Sequence, residues 1–247
     1  MVSLNGTVRP RWLAGLCAAI LLGGTSGGCD EGPRDYFPLE AGWRFGYRMQ
    51  VDAEGAGTEV FRATAANLEP RKIGNVTATP QLHQDGRILY YVEDPAGVRL
   101  IAFEKPGEDT PQKIPEQYVL KYPLEPGARW RTASRTILLT ERFLYSKALP
   151  INIGIDLDYT VEKTDADVRV PAGHFLNCVK LTATGHTTVN AADNQRILNV
   201  DVEISEWYAP GVGLVKATRA ERAGEERAGN AHMAQVLEYT RKPGWFE

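Results

Sequence analysis

Apolar and polar residues alternate along most of the chain beyond residue 35. Trp43, Phe45, Tyr47, Met49 and Val51 fall on one side of an extended backbone, and Arg44, Gly46, Arg48, Gln50 and Asp52 on the other. The longest run sets Ile151, Ile153, Ile155, Leu157, Tyr159 and Val161 against Asn152, Gly154, Asp156, Asp158, Thr160 and Glu162. Leu198, Val200, Val202 and Ile204 alternate with Asn199, Asp201, Glu203 and Ser205 in the same way. Successive side chains of a strand point to opposite faces, so this pattern predicts half-buried antiparallel strands. The strand from Ile151 would extend about 40 Å at ~3.4 Å per residue, a length suited to a strongly curved sheet or a barrel.

Further strands are predicted over residues 59–65, 76–82, 87–93, 98–103, 136–144, 175–182, 213–221 and 232–239. Asp85-Gly86, Asp94-Pro95, Pro106-Gly107, Asp193-Asn194 and Ala223-Gly224 punctuate them as turns. Residues 105–115 read as a polar, proline-rich loop dividing two halves of one sheet, and no stretch after residue 30 has convincing helical periodicity with caps. The expected fold is all-β: long antiparallel strands in a strongly curved sheet, a half-open barrel or a sandwich, with little helix, in a single domain over residues 36–247. A short repeat runs through it. Pro38-Leu39-Glu40-Ala41-Gly42 returns as Pro123-Leu124-Glu125-Pro126-Gly127, and Phe45 and Trp130 follow each glycine at the same distance. Duplication and two similar strand-opening turns explain this equally well.

Residues 1–28 change the picture. Arg9 and Arg11 precede an apolar stretch from Trp12 to Leu22, and small residues follow to Gly28, the order of a bacterial export signal. The stretch is roughly half the ~20 residues a spanning helix needs. Ser26-Gly27-Gly28-Cys29 resembles the lipobox of bacterial lipoproteins, with Ser26 standing where leucine is usual. The resemblance implies diacylglyceryl attachment at Cys29, cleavage before it, and a short acylated linker over residues 29–35. Asp30 resembles the inner-membrane retention signal of enteric lipoproteins; the leaflet stays open.

Of the 247 residues, 43% are apolar and 24% charged, an ordinary globular composition. Beyond residue 28 the chain carries 26 basic and 31 acidic residues and no basic block, which argues against nucleic acid as a partner. With Cys17 in the leader and Cys29 assigned to lipid, Cys178 stands alone, so no internal disulfide is expected.

Three marks carry a second resemblance. They are Tyr36-Phe37-Pro38-Leu39 with Gly42-Trp43, then Val170-Pro171-Ala172-Gly173-His174-Phe175-Leu176-Asn177-Cys178, then Trp207-Tyr208-Ala209-Pro210-Gly211-Val212-Gly213-Leu214-Val215. In this order they resemble a family of bacterial envelope proteins, often lipoproteins, without an agreed activity. The resemblance implies an envelope location and a β-rich fold and transfers no catalytic residue. Read by themselves, Pro171, Gly173, Pro210, Gly211 and Gly213 shape turns, and Trp207 and Tyr208 are expected to pack together on one side.

No chemistry is committed. His83, His174, His186 and His232 lack zinc-ligand spacing, and His174 and His186 meet only if a hairpin brings them together. Cys178, within an apolar strand, reads as an inert small hydrophobe. Asp156 and Asp158 share one strand face, with Asp165 and Asp167 just beyond; the simplest reading is a solvated face followed by a turn. No catalytic residue, metal ligand or cofactor is assigned, and the ligand-binding residues are left unknown. The reading that remains is a lipid-anchored envelope protein, outside the cytoplasm, whose β domain binds an apolar ligand or a protein partner. The alternatives are an assembly subunit of an envelope complex, a hydrolase with dispersed site residues, and an integral outer-membrane barrel, to which Trp245-Phe246 points faintly.

Overall fold

The computed structural model describes residues 35–55, 57–138, 154–190, 197–223 and 229–244. Residues 34–247 form one compact unit; residues 1–33, with Cys29, and also Ile151, Asn152, Ile153 and Trp245-Phe246 lie outside the described residues. Thirteen strands, and no α-helix, occur among the described residues. The first seven are β1 (Arg44–Ala53), β2 (Gly57–Asn67), β3 (Arg71–Ile73), β4 (Val76–His83), β5 (Ile88–Asp94), β6 (Gly97–Glu104) and β7 (Gln112–Lys121). The rest are β8 (Arg129–Arg135), β9 (Gly154–Val170), β10 (Gly173–Asn190), β11 (Ile197–Ala209), β12 (Gly213–Ala223) and β13 (Asn230–Arg241).

All pairings are antiparallel, in the order β7-β6-β5-β4-β2-β1-β13-β12-β11-β10-β9-β8, with β3 paired outside this path to β4. The chain therefore makes two up-and-down meanders. The first runs outward from β1 to β7, the second from β8 back to β13, and pairing of β1 with β13 joins them. Consecutive strands β7 and β8 form the two free edges. They touch without forming a ladder, so the sheet curls into a cylinder with one open seam. The repeated Pro-Leu-Glu turn opens each meander. Gly42 and Gly127 both have positive φ, 88° and 90°, and their N–H groups donate to the carbonyls of Asn67 and Val161.

The predicted alternation is realised on β9, where Ile155, Leu157, Tyr159 and Val161 are buried and Gly154, Asp156, Asp158 and Glu162 exposed. On β11, Val200, Val202 and Ile204 are buried and Asn199, Asp201 and Glu203 exposed. Three expectations are corrected. Part of the supposed loop at 105–115 belongs to β7, where Pro115 hid a strand. β7 is an edge, and Pro115 lies in the irregularity where three residues face Ile101, so its missing N–H breaks no ladder. The strand predicted from 136 ends instead at Arg135, residues 136 and 137 carry no strand, and 139–144 lie outside the described residues. Asp165 and Asp167 belong to β9 rather than to a turn, because that strand continues to Val170 before turning at Pro171-Ala172.

Twelve strands around one axis enclose more space than side chains fill, since barrel diameter grows with strand number. One part of the interior is packed. Tyr91, Val98 and Leu120 from the first meander meet Leu157, Leu181 and Tyr208 from the second, with Tyr36 and Phe37 inserted among them. Phe37 lies 5.0 Å from the ring of Tyr91 and 6.4 Å from that of Tyr208. The rest of the interior stays open.

Candidate functional site

The three sequence marks converge in space. The Tyr36 hydroxyl donates to the Asn177 carbonyl at 3.2 Å, and the Gly211 N–H donates to the Asp35 carbonyl. Gly213, at φ 95°, lies so close that a Cβ there would stand 3.2 Å from Cδ of Pro38. The marks thus dock the segment before β1 onto the β10 and β11–β12 end of the cylinder. Their role is structural, and one expectation about them is corrected. Trp207 and Tyr208 occupy opposite faces: Tyr208 is buried in the interior, whereas Trp207 lies between the ammonium groups of Lys180 and Lys216, 5.4 and 4.8 Å from its ring centre. Alternation along β11 separates neighbours in sequence.

The open interior is a cavity of about 1020 Å³, at the upper end of the size of small-molecule sites. Tyr47, Met49 and Val51 of β1, Phe61 of β2, Leu89 and Tyr91 of β5, Leu100 and Phe103 of β6, and Met233 of β13 line it. The register explains this: Tyr47 faces Ala63 and Leu237, Met49 faces Phe61 and Gln235, and Val51 faces Met233, so one inward row passes from strand to strand. On β4 the inward positions are polar. Thr79 and Gln81 are buried, His83 reaches the cavity, and Val76 and Leu82 face outward. Gln81 donates from Nε2 to Oδ1 of Asn67 at 2.9 Å, and Asn67 donates to the carbonyls of Pro38 and Glu40 at 2.8 and 3.2 Å. Burial, and next the charge of Arg87, pushes the His83 imidazole below its ordinary value, and its Nε2 finds no hydrogen-bond partner among the described residues.

Three ionisable side chains, Glu206, Arg219 and Glu221, stand on the inward faces of β11 and β12 behind the cavity. Glu206 lies opposite Leu181 and Ala217 and accepts the Tyr208 hydroxyl at 3.1 Å. Burial raises its pKa to about 7, opposed by that hydrogen bond and by Arg219. Arg219 pairs with Glu221, which accepts the N–H groups of Ile137 at 2.9 Å and Leu138 at 3.1 Å. Ser134, Arg135, Ile137 and Leu138 line the cavity, so this buried pair fixes part of its wall.

The other candidates disperse. His174 and His186 lie on one strand, twelve positions apart, and do not meet. His174 pairs with Asp167 at 2.6 Å and His186 with Asp201 at 2.7 Å, all exposed. Asp158 takes two hydrogen bonds of 2.7 Å from Arg131 across β8–β9, which hold its carboxyl below the usual range. With Asp156, His186 and Asp201 it borders an outer recess of about 710 Å³ around Gly185. No cluster of three metal-ligating side chains occurs among the described residues. Cys178 is fully buried beside Phe175, and burial pushes its thiol up to about 11.

Fold and cavity together define a half-open, up-and-down β-barrel with a large, mainly apolar interior. No protein-family model matches the chain, and no curated protein does. Among solved structures it is similar to one from Parabacteroides distasonis ATCC 8503, named a putative lipoprotein. The identity is 14% and the TM-score 0.41, over 85% of this chain and 100% of the other. It is also similar to one from Bacteroides fragilis NCTC 9343, named a putative exported protein with YmcC-like fold. The identity is again 14% and the TM-score 0.36, with the same shares covered.

Proposed function

We propose that the chain is an exported lipoprotein, held at a bacterial membrane by lipid on Cys29, and that its half-open barrel binds an apolar ligand. The observation that carries the binding reading is the cavity of about 1020 Å³ walled by Tyr47, Met49, Phe61, Leu89 and Phe103. An apolar chain entering it gains roughly 0.8 kcal/mol per methylene removed from water. The open seam between β7 and β8 offers a lateral way in. The leader and Ser26-Gly27-Gly28-Cys29 support the anchor and the envelope location.

The full chain, purified from membranes into a non-ionic amphipol, tests the binding reading by solvent extraction and mass spectrometry of what it carries. Ala63 lines the cavity, so Ala63→Trp fills it. The expected result is a co-purifying amphiphile that the variant loses while keeping its melting transition. Equal retention of the amphiphile by both proteins, or its absence from both, contradicts the reading. Labelling with a radioactive fatty acid tests the anchor: label on the wild type and none on Cys29→Ser is expected.

A further inference from the structure

We infer that the ligand is an acyl amphiphile with an anionic head, the chain lying in the barrel and the head at the rim formed by the β4–β5 turn, the β6–β7 turn and the end of β8. This rests on the cavity reading above and names the ligand class of that site. In an up-and-down cylinder the ends of β4, β6 and β8 and the starts of β5, β7 and β9 share one rim. The contacts agree: the Gln84 N–H donates to the Thr64 carbonyl, and a Cβ on Gly86 would stand 3.2 Å from Pro106. The charged side chains of the cavity wall gather there. Among the described residues they are the cations Arg87 and Lys105 beside one carboxylate, Asp85; Arg62 and Arg135 border the cavity through their backbone, since they alternate with inward Phe61, Ala63 and Ser134. The opposite end, where Asp35 and Phe37 dock, contributes none.

The carboxylates that pair with these cations leave room for a ligand. Asp85 holds Nε of Arg87 at 2.6 Å, and Glu108 stands 3.7 Å from Lys105. Glu108 lies outside the cavity wall, and both pairs are solvent-exposed, so their attraction is weak. A guanidinium has five donors, of which one such contact uses one. Beneath the rim, His83 has a buried Nε2 without a partner among the described residues, and burial, then the charge of Arg87, lowers the pKa of its ring. An apolar interior below a cationic rim selects against neutral and cationic heads.

The test is competition against a fluorescent fatty acid on the full chain in non-ionic amphipol, with four heads on one hexadecyl chain: carboxylate, phosphate, alcohol and trimethylammonium. The expected result is that an anionic head binds about tenfold or more tighter than the alcohol, the size of a charge-assisted hydrogen bond. The trimethylammonium is expected to be weakest, and rising salt to narrow the differences. The tighter of carboxylate and phosphate identifies which head the site takes. Arg87→Gln with Lys105→Gln, both exposed, is expected to remove most of the preference while leaving alcohol binding and melting unchanged. Equal binding of all four heads, or an unchanged preference in the double variant, overturns the head-group inference and leaves the cavity reading standing. Binding of none of the four overturns both.

Discussion

Arg219 and Glu221 stand two residues apart on β12 with their side chains paired at 2.7 Å inside the barrel. Arg219 also donates to the Arg135 carbonyl at 2.7 Å, and Glu221 accepts from the N–H groups of Ile137 and Leu138. The pair therefore ties the exit of β8, one free edge of the sheet, to a strand across the cylinder. It holds the curl where no ladder does. Its neighbours Ala217 and Ala223 are small and apolar, so each charge is solvated by its partner and by those backbone groups.

Glu221→Ala is expected to cost about 3–5 kcal/mol, because it leaves Arg219 buried without its carboxylate. Replacing both, with Arg219→Met and Glu221→Leu, is expected to cost less than the single change. Urea denaturation of the two variants checks this; a larger loss in the double variant contradicts it.

Ile155→Ala is expected to cost about 2–5 kcal/mol, since it empties part of a packed core. Ile155 is 5% exposed and packs in the cluster that joins the two meanders. Asp156→Asn, on the outer face of the same strand, is expected to stay within about ±0.5 kcal/mol. Denaturant melts compare them directly, and the reverse order would place Asp156 in a working site.

Glu206 makes stability depend on pH. Its folded pKa, about 7, lies above the ordinary 4.5. The stabilisation is complete below pH 4.5, where both states are protonated. It declines as pH rises from 4.5 to 7, because the unfolded chain ionises first, and is lost above 7. The groups facing Glu206 are Tyr208, Tyr159, Tyr91 and Arg219; the tyrosines do not titrate in this window. Thermal melts across pH 4–8 are expected to show the decline, and Glu206→Gln to flatten it.

Cys178 is expected to resist thiol reagents in the folded protein at pH 8. It is fully buried and its thiol titrates near 11, so little thiolate exists to react. Cys178→Ala is expected to cost about 1 kcal/mol and to leave ligand binding intact. Rapid modification of native protein by a water-soluble disulfide reagent would show that the site opens.

Much of the barrel was legible in period-two alternation. β9 and β11 bury the residues their pattern marks, because a one-residue slip would turn every acid inward. β7 was hidden by Pro115, which is tolerated because no further strand pairs on that edge. The cavity wall was illegible for a related reason. On β4 the sequence offers Val76, Ala78 and Leu82 as an apolar row, yet Thr79, Gln81 and His83 face in. Their neighbours supply the reason: Gln81 finds Asn67 and its partners Pro38 and Glu40, all distant in sequence.

The sequence alone determined the all-β class and most strand positions, because alternation and turn residues are local properties. Closure was decided only by the tertiary structure. Whether twelve strands flatten, stack or curl depends on β1 meeting β13 and on the Arg219–Glu221 tie, contacts between residues far apart in the chain. The cavity exists only because that curl wraps the two meanders around one interior.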